Sequence, residues 1–462
     1  MAVTAVLGAG PAGLAAAWEL SAAGRSVALF DREGAVGGLC RSFDLEGCVF
    51  DVGPHLFKPR RAEVGALWDR FCDDGYAPAG EDAACLYFGG GLHRSNADAI
   101  LDQPWRRVIK MGGALAARLL RPLRVASAED LLRNLRGDAI YRDFYRPREE
   151  KFWGDSLTRI DPSFYATQAV DPRVVIARRL GLGGGAAPRA EPEVPARYPK
   201  SGAGRLYGRL AEALTASGFA RICLDAEVVR LVHAGGRVRA VISRDTRTGE
   251  EHEHAVDDVI STIPLKALVR SLQPGLSGPV LDAAARLRHR DLVTVNLVLS
   301  PEVDFPADRI DVFSDDVEVY RVTRFRGLAG TSGRAERGVP VCLEYYCFAD
   351  DASWRRDDAS WGVVARHELE QIAGVDASRV LASSVQRLRE ACPIQQRGYR
   401  GWVAVILDAL AGFENLQSVG RNGLFSYNQM SHSMECGLLA ARNVLGEDHR
   451  IVPPGAGESV VF

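Results

Sequence analysis

The first thirty-one residues combine short apolar runs with closely spaced glycines. Residues 3–7 are mostly apolar, Gly8, Gly10 and Gly13 follow, and an Ala- and Leu-rich run then leads to a second apolar stretch at residues 27–30. Short apolar runs beside glycines are typical of buried parallel strands, whereas the longer Ala- and Leu-rich run is typical of a helix. We therefore predict a strand, a tight turn, a helix and a second strand, in that order.

The spacing of apolar positions changes further along the chain. Residues 61–195 carry apolar side chains three and four positions apart, which predicts helices. Gly235 and Gly236 separate two apolar stretches and predict a β-hairpin. Alternation of apolar and polar positions predicts an antiparallel sheet from three later stretches, residues 292–299, 317–325 and 339–348.

The last part of the chain returns to the opening pattern. An apolar strand leads to Gly420 and Arg421, and a polar loop then precedes a long amphipathic helix that includes residues 437–445. We predict an α/β fold in which separate segments share one Rossmann-like domain. That domain comprises residues 1–60, 196–290 and 400–462, and residues 61–195 and 291–399 form a second domain of helices and an antiparallel sheet.

Composition limits the class of protein. At 462 residues we expect two or three domains, and a net charge of −2 gives no electrostatic reason to expect nucleic acid or an acidic membrane as a partner. The N-terminus lacks the basic region of a secretory signal, and no uncharged apolar run approaches the ~18 residues of a membrane helix. The nine cysteines are scattered without a Cys-x-x-Cys pair, which favours free thiols and no metal site. We expect a cytoplasmic monomer or homodimer acting on a small molecule.

The opening glycines have the spacing of a dinucleotide-binding turn. Gly8 permits a tight turn, Gly10 lets the backbone approach a pyrophosphate, and Gly13 lets the helix lie close to the strand. The helix N-terminus would then face the phosphates, and Asp31, at the end of the second strand, would bond a ribose diol. The alternative is a structural β-α-β unit with an empty crevice.

A second glycine box follows Asp31 directly. It contains Gly37, Gly38 and, three residues further on, Arg41. Paired glycines permit close backbone approach to a flat or anionic group, and Arg41 adds charge and a planar set of donors. The box is similar to one that lies along FAD in flavoproteins with two dinucleotide domains, so we predict FAD rather than NAD. The alternative is a glycine turn with a surface arginine.

Three further regions contain candidate site residues. His55 follows a turn at Gly53 and is either a neighbour of the isoalloxazine ring or a hydrogen-bonded turn histidine. Residues 144–160 are rich in aromatic and basic side chains, which suits either a substrate pocket or a solvated basic face. Of three arginines around a predicted strand, one or two would point into a cleft because strand side chains alternate: Arg321, Arg324 and Arg326.

These motifs resemble the flavoenzyme group that contains UDP-galactopyranose mutase, protoporphyrinogen oxidase and the amine oxidases. The resemblance covers the whole chain and is closest to the mutase branch at Phe-Asp-Val-Gly-Pro-His, residues 50–55, and at Gly-Arg-Asn-Gly-x-x-x-Tyr-x-x-Met, residues 420–430. Asp31 stands where that group usually has Glu, and Pro54 stands where it usually has a second Gly. The resemblance implies a GR2-type flavoprotein fold.

The resemblance also implies roles for individual residues. His55 would lie beside the isoalloxazine, Tyr427 would line the substrate site, and Val228 would contact the adenine through its backbone. The full set of predicted FAD-binding residues is Gly8, Gly10, Pro11, Ala12, Gly13, Asp31, Arg32, Gly38, Leu39, Arg41, Val228, Gly420, Arg421 and Met430.

Three functions remain open on this basis. In the first, an FAD-dependent oxidoreductase transfers a hydride to flavin N5 from a small polar substrate, such as a nucleotide sugar or a glycosylated compound, with His55 as base and Tyr427 orienting the substrate. In the second, a mutase uses reduced flavin N5 as a nucleophile on a nucleotide sugar whose diphosphate is held by Arg324. In the third, the protein binds flavin and a partner carries out the chemistry.

Overall fold

The structure is a computed structural model. It describes residues 2–53, 55, 57–59, 61–72, 75–78, 84–166, 197–325 and 338–451. The predicted α/β class is confirmed, because parallel and antiparallel sheets are both present and covered by helices.

A five-stranded parallel sheet brings together three distant parts of the sequence. Its strands run in the order Leu416–Ser418, Asp258–Ser261, Val3–Leu7, Ser26–Phe30 and Ala220–Cys223. The opening strand lies at the centre, where Val6 is paired with Leu29 on one side and Ile260 on the other. The carboxyl ends of all five strands therefore meet at one edge, where α/β sheets bind ligands.

Helices cover both faces of this parallel sheet. One face packs against four helices, Pro11–Ala22, Ala62–Phe71, Ala203–Ala216 and Met430–Val444. We name the first of these the opening helix and the last the closing helix. The other face packs against Leu265–Ser271, Gly278–Arg286 and Tyr399–Leu410. The helix Ala62–Phe71 thus contributes to the core of the parallel-sheet half. The sequence assigns its residues to the second domain. The division into domains itself stays a prediction.

A smaller four-stranded sheet adjoins the parallel one. Its order is Glu251–Ala255, Arg237–Asp245, Ala226–Ala234 and Leu272–Gln273. The hairpin predicted at Gly235 and Gly236 is confirmed, because Ala234 pairs with Arg237.

A seven-stranded sheet forms the floor of the other half. Its order is Val380–Pro393, His289–Leu299, Val339–Cys347, Arg321–Arg324, Arg309–Val312, Ala84–Phe88 and Gly91–His93. Every neighbouring pair is antiparallel except Arg309–Val312 with Ala84–Phe88. One face packs against the helix Asp358–Ala373, and the other packs against Phe50 and Val52 of the parallel-sheet half.

Two sequence predictions for this half are wrong in extent. The region predicted to be helical from residue 61 contains strands Tyr76–Pro78, Ala84–Phe88 and Gly91–His93. The first two pair with strands far along the chain, and the third forms a hairpin with Ala84–Phe88. The predicted strand at residues 317–325 is shortened to Arg321–Arg324.

The remaining elements are mostly short. Helices above the seven-stranded sheet are Asn96–Leu101, Trp105–Leu120, Ala128–Arg136, Asp138–Ile140, Arg146–Trp153 and Ser163–Ala166, with a π-helical turn at Tyr141–Tyr145. Two two-stranded sheets pair Ser42–Leu45 with Cys48–Asp51 and Tyr76–Pro78 with Arg197–Pro199. Single helical turns occur at Gly38–Cys40, Ala352–Arg355, Ala377–Arg379 and Gly420–Gly423. Within the described ranges, every helix is too short or too polar to cross a membrane.

Candidate functional site

The opening glycines form a turn at the carboxyl end of the central strand. Gly8 has a φ of +104°, and a Cβ at Gly13 would collide with the Gly8 carbonyl oxygen. The opening helix begins at Pro11, with Gly10 at its N-cap, and Ala12 follows in its first turn. Because Gly10 has no side chain to bond the first-turn N–H groups, this helix end is suited to bind a phosphate.

The second glycine box lies directly against the first. The Gly37 N–H donates to the Ala9 carbonyl at 2.8 Å, and a Cβ at Gly38 would lie 3.1 Å from the Gly10 Cα. Leu39 packs beside a buried cluster that includes Leu292. The structure therefore places both predicted glycine boxes side by side, although they are more than twenty residues apart in sequence.

The predicted ribose and adenine contacts lie at the end of the second strand. The Asp31 carboxylate accepts hydrogen bonds from the Ala9 N–H at 2.6 Å and the Glu33 N–H at 2.9 Å, and burial raises its pKa against the effect of these bonds. The Ala226 N–H donates to the Asp31 carbonyl at 2.8 Å, which brings the strand that contains Val228 to the same place. Asp31 and the strand that contains Val228 therefore lie together, and their contacts with an adenosine stay a prediction.

The two predicted arginines beside this site pair with carboxylates. The Arg41 Nη1 donates to Glu33 at 3.1 Å, and the Arg32 Nη1 donates to Glu390 at 3.4 Å. Glu390 belongs to the long strand of the seven-stranded sheet, so Arg32 links the two halves of the molecule.

The end of the chain meets the beginning at the same turn. Gly420 has a φ of +80°, and a Cβ there would lie 3.0 Å from the Ala12 Cβ. A Cβ at Gly437, in the closing helix, would collide with the Ala12 carbonyl oxygen. Met430 is the first residue of that helix and is buried in the core it shares with the opening helix. The two ends of the sequence therefore meet around one site, as the sequence analysis predicts.

His55 lies beneath the second glycine box. Its Nε2 is 2.7 Å from the Leu39 carbonyl oxygen and 2.9 Å from the Val52 carbonyl oxygen, so the ring carries its proton on Nε2 and donates to both. Burial lowers the pKa of His55, and the charge of Arg421 lowers it further, although Asp51 opposes this shift. The neutral ring therefore presents Nδ1 as an acceptor. The neighbouring residue Pro54 lies outside the described residues.

Asp51 is a buried polar residue that sequence reasoning missed. Its carboxylate accepts hydrogen bonds from the Ser42 hydroxyl, the Tyr198 hydroxyl and the Ala203 N–H. Burial raises the pKa of Asp51, and its charge interacts with the His55 ring. The Tyr198-Pro-Lys-Ser-Gly block was the available signal, because glycines before a helix allow the close approach that joins this block to the hairpin at Ser42.

Arg421 and Tyr427 lie together on the far side of the site. The Arg421 guanidinium is 4.2 Å from the centre of the Tyr427 ring, and its Nη1 donates to the Ala391 carbonyl at 3.4 Å. Burial raises the pKa of Tyr427 even though Arg421 acts in the opposite direction. The charge of Arg421 also affects the pKa of Cys40 and His55, so the last segment faces both the glycine box and the histidine.

An aromatic cluster extends from Tyr427 into the other half of the molecule. The Phe152 ring lies 5.9 Å from Tyr427, 5.5 Å from Tyr320 and 4.9 Å from Tyr346, and Phe164 lies 5.7 Å from Tyr427. Phe152 is within the aromatic and basic segment for which the sequence left a pocket or a solvated face open. Phe152 is buried in a hydrophobic cluster, so this residue does not lie on a solvated face.

The strand Arg321–Arg324 directs its two arginines to opposite faces of the sheet. The Arg321 guanidinium bonds Glu344 through Nε at 2.8 Å and Nη2 at 2.7 Å, and its charge acts on Tyr427 and Tyr346. Arg324 instead bonds Asp308 at 2.8 and 2.5 Å.

The pairing register shows that Arg324 lies away from the site. Arg324 is opposite Val341, whose side chain packs in the core beneath the helix Asp358–Ala373. This position contradicts the predicted role of Arg324 as a diphosphate ligand, because strand alternation puts Arg321, and not Arg324, on the face of Tyr346 and Tyr427. Arg326 lies outside the described residues.

Arg148 is a second buried arginine near the aromatic cluster. Its guanidinium lies 4.4 Å from the Tyr320 ring centre and pairs with Glu149 at 2.8 Å and Asp311 at 3.4 Å. Both Arg148 and Arg321 are thus matched by carboxylates.

The comparisons with known proteins identify the family. The model for flavin containing amine oxidoreductases matches residues 11–393, which is most of the chain. The chain belongs to the flavin-containing amine oxidoreductase family. Protoporphyrinogen oxidase 2, chloroplastic/mitochondrial, of Arabidopsis thaliana is 43% identical over 65 residues, which are 14% of this chain and only 13% of that protein.

Solved structures share the fold over nearly the whole length of this flavin-containing amine oxidoreductase. Reduced UDP-galactopyranose mutase superimposes with a TM-score of 0.80 at 18% identity, covering 97% of each chain. A double mutant of putrescine oxidase superimposes with a TM-score of 0.66 at 16% identity, covering 96% of this chain and 99% of the other. These superpositions establish a common fold, and at such low sequence identity they do not identify the reaction.

The cofactor of this flavin-containing amine oxidoreductase is FAD, and the residues present fit it. The two glycine boxes lie in close backbone contact, and a Cβ at Gly38 would press on the Gly10 Cα at 3.1 Å, which fits a dinucleotide cradle. In the described part of the chain, two buried polar atoms at the Gly420 turn have no hydrogen-bond partner, Arg421 Nε and Asn422 Oδ1. Buried polar atoms are usually satisfied, so their presence here is consistent with a polar ligand at this turn.

Proposed function

We propose that this chain is an FAD-dependent oxidoreductase that oxidises a small polar substrate carrying no diphosphate. Bound FAD would supply the acceptor for a hydride, which carries both electrons removed from the substrate. The chain would hold the cofactor between the opening glycine boxes and the Gly420 turn, and would place the substrate between Tyr346, Tyr427 and Arg321.

The observation that carries this proposal is that two buried arginines near the aromatic cluster, Arg321 and Arg148, are both paired with carboxylates. Arg321 is held by both oxygens of Glu344, which is 1% exposed, and Arg148 is paired with Glu149 and Asp311. A diphosphate needs cations that are free to pair with it, and here it would have to compete with a buried carboxylate. The arrangement therefore favours a neutral or weakly charged substrate over a nucleotide sugar.

The other side chains would orient the substrate and accept its proton. Burial raises the pKa of Tyr346 and Tyr427, so both phenols stay protonated near neutral pH and can donate hydrogen bonds to a substrate oxygen or nitrogen. His55 is neutral, with Nε2–H donating to two carbonyls, so Nδ1 is the atom that would accept a substrate proton.

The test compares oxidation with isomerisation in the same preparation. Oxidised holoenzyme is mixed without oxygen with a series of alcohols and amines, putrescine among them, and loss of the oxidised flavin absorbance is followed. Dithionite-reduced holoenzyme is separately given UDP-galactopyranose. We expect one substrate class to bleach the flavin and no furanose to form. Furanose production by the reduced enzyme would contradict the proposal and establish the mutase.

Matched paired variants test the assignment of Arg321. Arg321→Gln with Glu344→Gln removes a buried ion pair without leaving either charge unpaired, and Arg324→Gln with Asp308→Asn does the same on the opposite face of the same strand. We expect the first pair to lower kcat/KM for the bleaching substrate at least tenfold and the second to change it less than twofold. Equal effects would mean that Arg321 does not act at the site.

A further inference from the structure

The helix Trp105–Leu120, which we name the basic helix, is attached to the protein along one side only. Met111 is its one buried residue and packs near Phe144. Arg118 donates to both oxygens of Asp138, at 2.9 and 2.7 Å. Gly137 is packed so closely against this helix that a Cβ there would lie 2.5 Å from the Leu115 nitrogen. These contacts fix which side of the helix faces solvent.

The outward side of the basic helix is apolar. Trp105, Ile109 and Leu120 are 67%, 64% and 83% exposed, and their spacing of four and eleven residues places them on one face. Leu101 and Val125, just before and after the helix, are 65% and 43% exposed. Of the twelve large hydrophobic side chains that the described residues expose, these five lie within residues 101–125, so the exposed apolar surface is concentrated here.

The same segment is strongly cationic. Residues 103–127 contain no Asp or Glu and six cations, Arg106, Arg107, Lys110, Arg118, Arg121 and Arg124. Arg107 and Arg118 pair with Asp143 and Asp138, and within the described ranges the other four cations form no ion pair. The net charge of −2 for the whole chain does not reveal this local excess of positive charge, because acidic residues elsewhere offset it.

We propose that the outward side of the basic helix docks on the surface of an anionic lipid bilayer, with the helix lying parallel to the membrane plane. Apolar side chains on one face and cations beside them are what an interfacial helix requires. The 16 residues of the helix span about 24 Å, less than the ~30 Å core of a bilayer, so it would lie on the membrane and not cross it.

Two other occupants fit this surface less well. A second copy of the chain would bring two sets of unpaired cations together, which disfavours self-association. Nucleic acid would pair with the cations and leave the apolar face exposed to water. An anionic bilayer is the partner that satisfies both the charge and the apolar face.

The test is flotation of the full-length holoenzyme with lipid vesicles. Vesicles of phosphatidylcholine alone are compared with vesicles that contain about three-tenths phosphatidylglycerol. We expect the protein to float with the anionic vesicles and to be released by high salt, because screening weakens surface electrostatics. Absence of flotation with anionic vesicles, or equal flotation with both, would overturn the proposal.

Variants separate the apolar contribution from the charges. Ile109→Glu and Leu120→Glu should each weaken binding to anionic vesicles at least tenfold, because an exposed anchor becomes an anion. Arg106→Ala and Lys110→Ala should each weaken it about fivefold. The matched control is Val363→Glu, on the helix Asp358–Ala373, because Val363 is 67% exposed and Ile109 is 64% exposed.

Folding and self-association of the variants are measured separately from vesicle binding. Circular dichroism and flavin content should be the same in all variants, since the substituted side chains are exposed. If Ile109→Glu and Val363→Glu reduce flotation equally, the basic helix is not the docking surface. If the protein instead forms a dimer that Ile109→Glu dissociates, while no form floats with vesicles, the face is an interface between copies and the proposal is wrong.

Discussion

Asp51 shows how one buried carboxylate joins parts of the site that are far apart in sequence. It accepts hydrogen bonds from Ser42, behind the second glycine box, and from Tyr198 and Ala203, about 150 residues later. The His55 ring lies in its electrostatic field. The pKa of the candidate base therefore depends on a carboxylate that is held in place by residues far from it in the chain.

His289 gives a pH-dependent contribution to stability. Burial, with the charges of Lys266 and Arg421, lowers its pKa from 6.5 to about 3. Between those values the unfolded chain binds a proton that the folded chain does not, so stability should fall as pH drops below about 6.5 and should gain nothing above it. We expect His289→Leu to remove this dependence.

The measurement is chemical unfolding at a series of pH values. Relative to the parent, the free energy of unfolding of His289→Leu should rise by about 2 kcal/mol between pH 7 and pH 5, since each pH unit is worth about 1.4 kcal/mol. Above pH 7 the two curves should run parallel. Parallel curves throughout would mean that His289 titrates alike in the folded and unfolded chains.

Individual residues also show where sequence reasoning reaches its limit. The spacing of Gly8, Gly10 and Gly13 was enough to predict a cofactor turn, because each glycine answers a local steric demand. The sequence alone does not show whether Arg321 or Arg324 faces the site. The two arginines are three residues apart on one short strand, and only the register of that strand with Val339–Cys347 shows which one faces the site. Asp51 has partners so distant that no local pattern indicates them.

At the scale of elements, the opening and closing helices hold the cofactor site together by close backbone contact. Gly437 of the closing helix lies against the Ala12 carbonyl, and both helices share one core. A methyl group at this contact must push the helices apart. An Ala- and Leu-rich run predicts the opening helix and an amphipathic pattern predicts the closing helix, but neither pattern shows which residues of the two helices are in contact.

We expect Gly437→Ala to separate these helices. Overpacking a buried contact costs about 1–3 kcal/mol or more, and it should also lower the amount of FAD retained during purification. Gly208→Ala is the matched control, because Gly208 is also in a helix, Ala203–Ala216, and a Cβ there meets nothing within 4 Å. That substitution should be neutral or stabilising by up to about 1 kcal/mol.

Thermal unfolding and flavin absorbance check both variants. If Gly437→Ala unfolds at the parent's temperature and keeps its FAD, the two helices adapt without cost and the contact does not define the site. A loss of stability in both variants would instead reflect a general sensitivity of helical glycines.

Elements that depend on distant pairing were the ones that sequence patterns missed. The strand Val380–Pro393 pairs along almost its full length with His289–Leu299, yet its own sequence shows no clear alternation. Ala84–Phe88 finds its partner at Arg309–Val312, more than 200 residues later. Such strands form because a partner edge is present, and single-sequence periodicity carries no information about that edge.

At the scale of the whole molecule, one ligand should stabilise both ends of the chain. If FAD bridges the opening glycines and the Gly420 turn, it should bind only the folded protein and stabilise it by about 4 kcal/mol when its concentration is a thousand times its Kd. We expect FAD to slow hydrogen exchange in Pro11–Ala22 and Met430–Val444 together.

The comparison is between flavin-free and reconstituted protein. The helix Asp358–Ala373 packs on the far face of the seven-stranded sheet and should change least, which makes it the internal control. Protection of the opening helix without the closing helix would show that the C-terminal segment does not take part in binding FAD.

The contact between Gly437 and Ala12 can form only near the end of protein synthesis, because the two residues lie at opposite ends of the chain. About 400 residues must leave the ribosome after the opening turn before its partner segment exists, which at typical elongation rates takes roughly 20–80 s. Until then, the apolar face of the opening helix is not covered by the closing helix and is exposed to aggregation. Cofactor loading is thus a late event, and a chaperone or the growing chain itself has to shield that surface until synthesis is nearly complete.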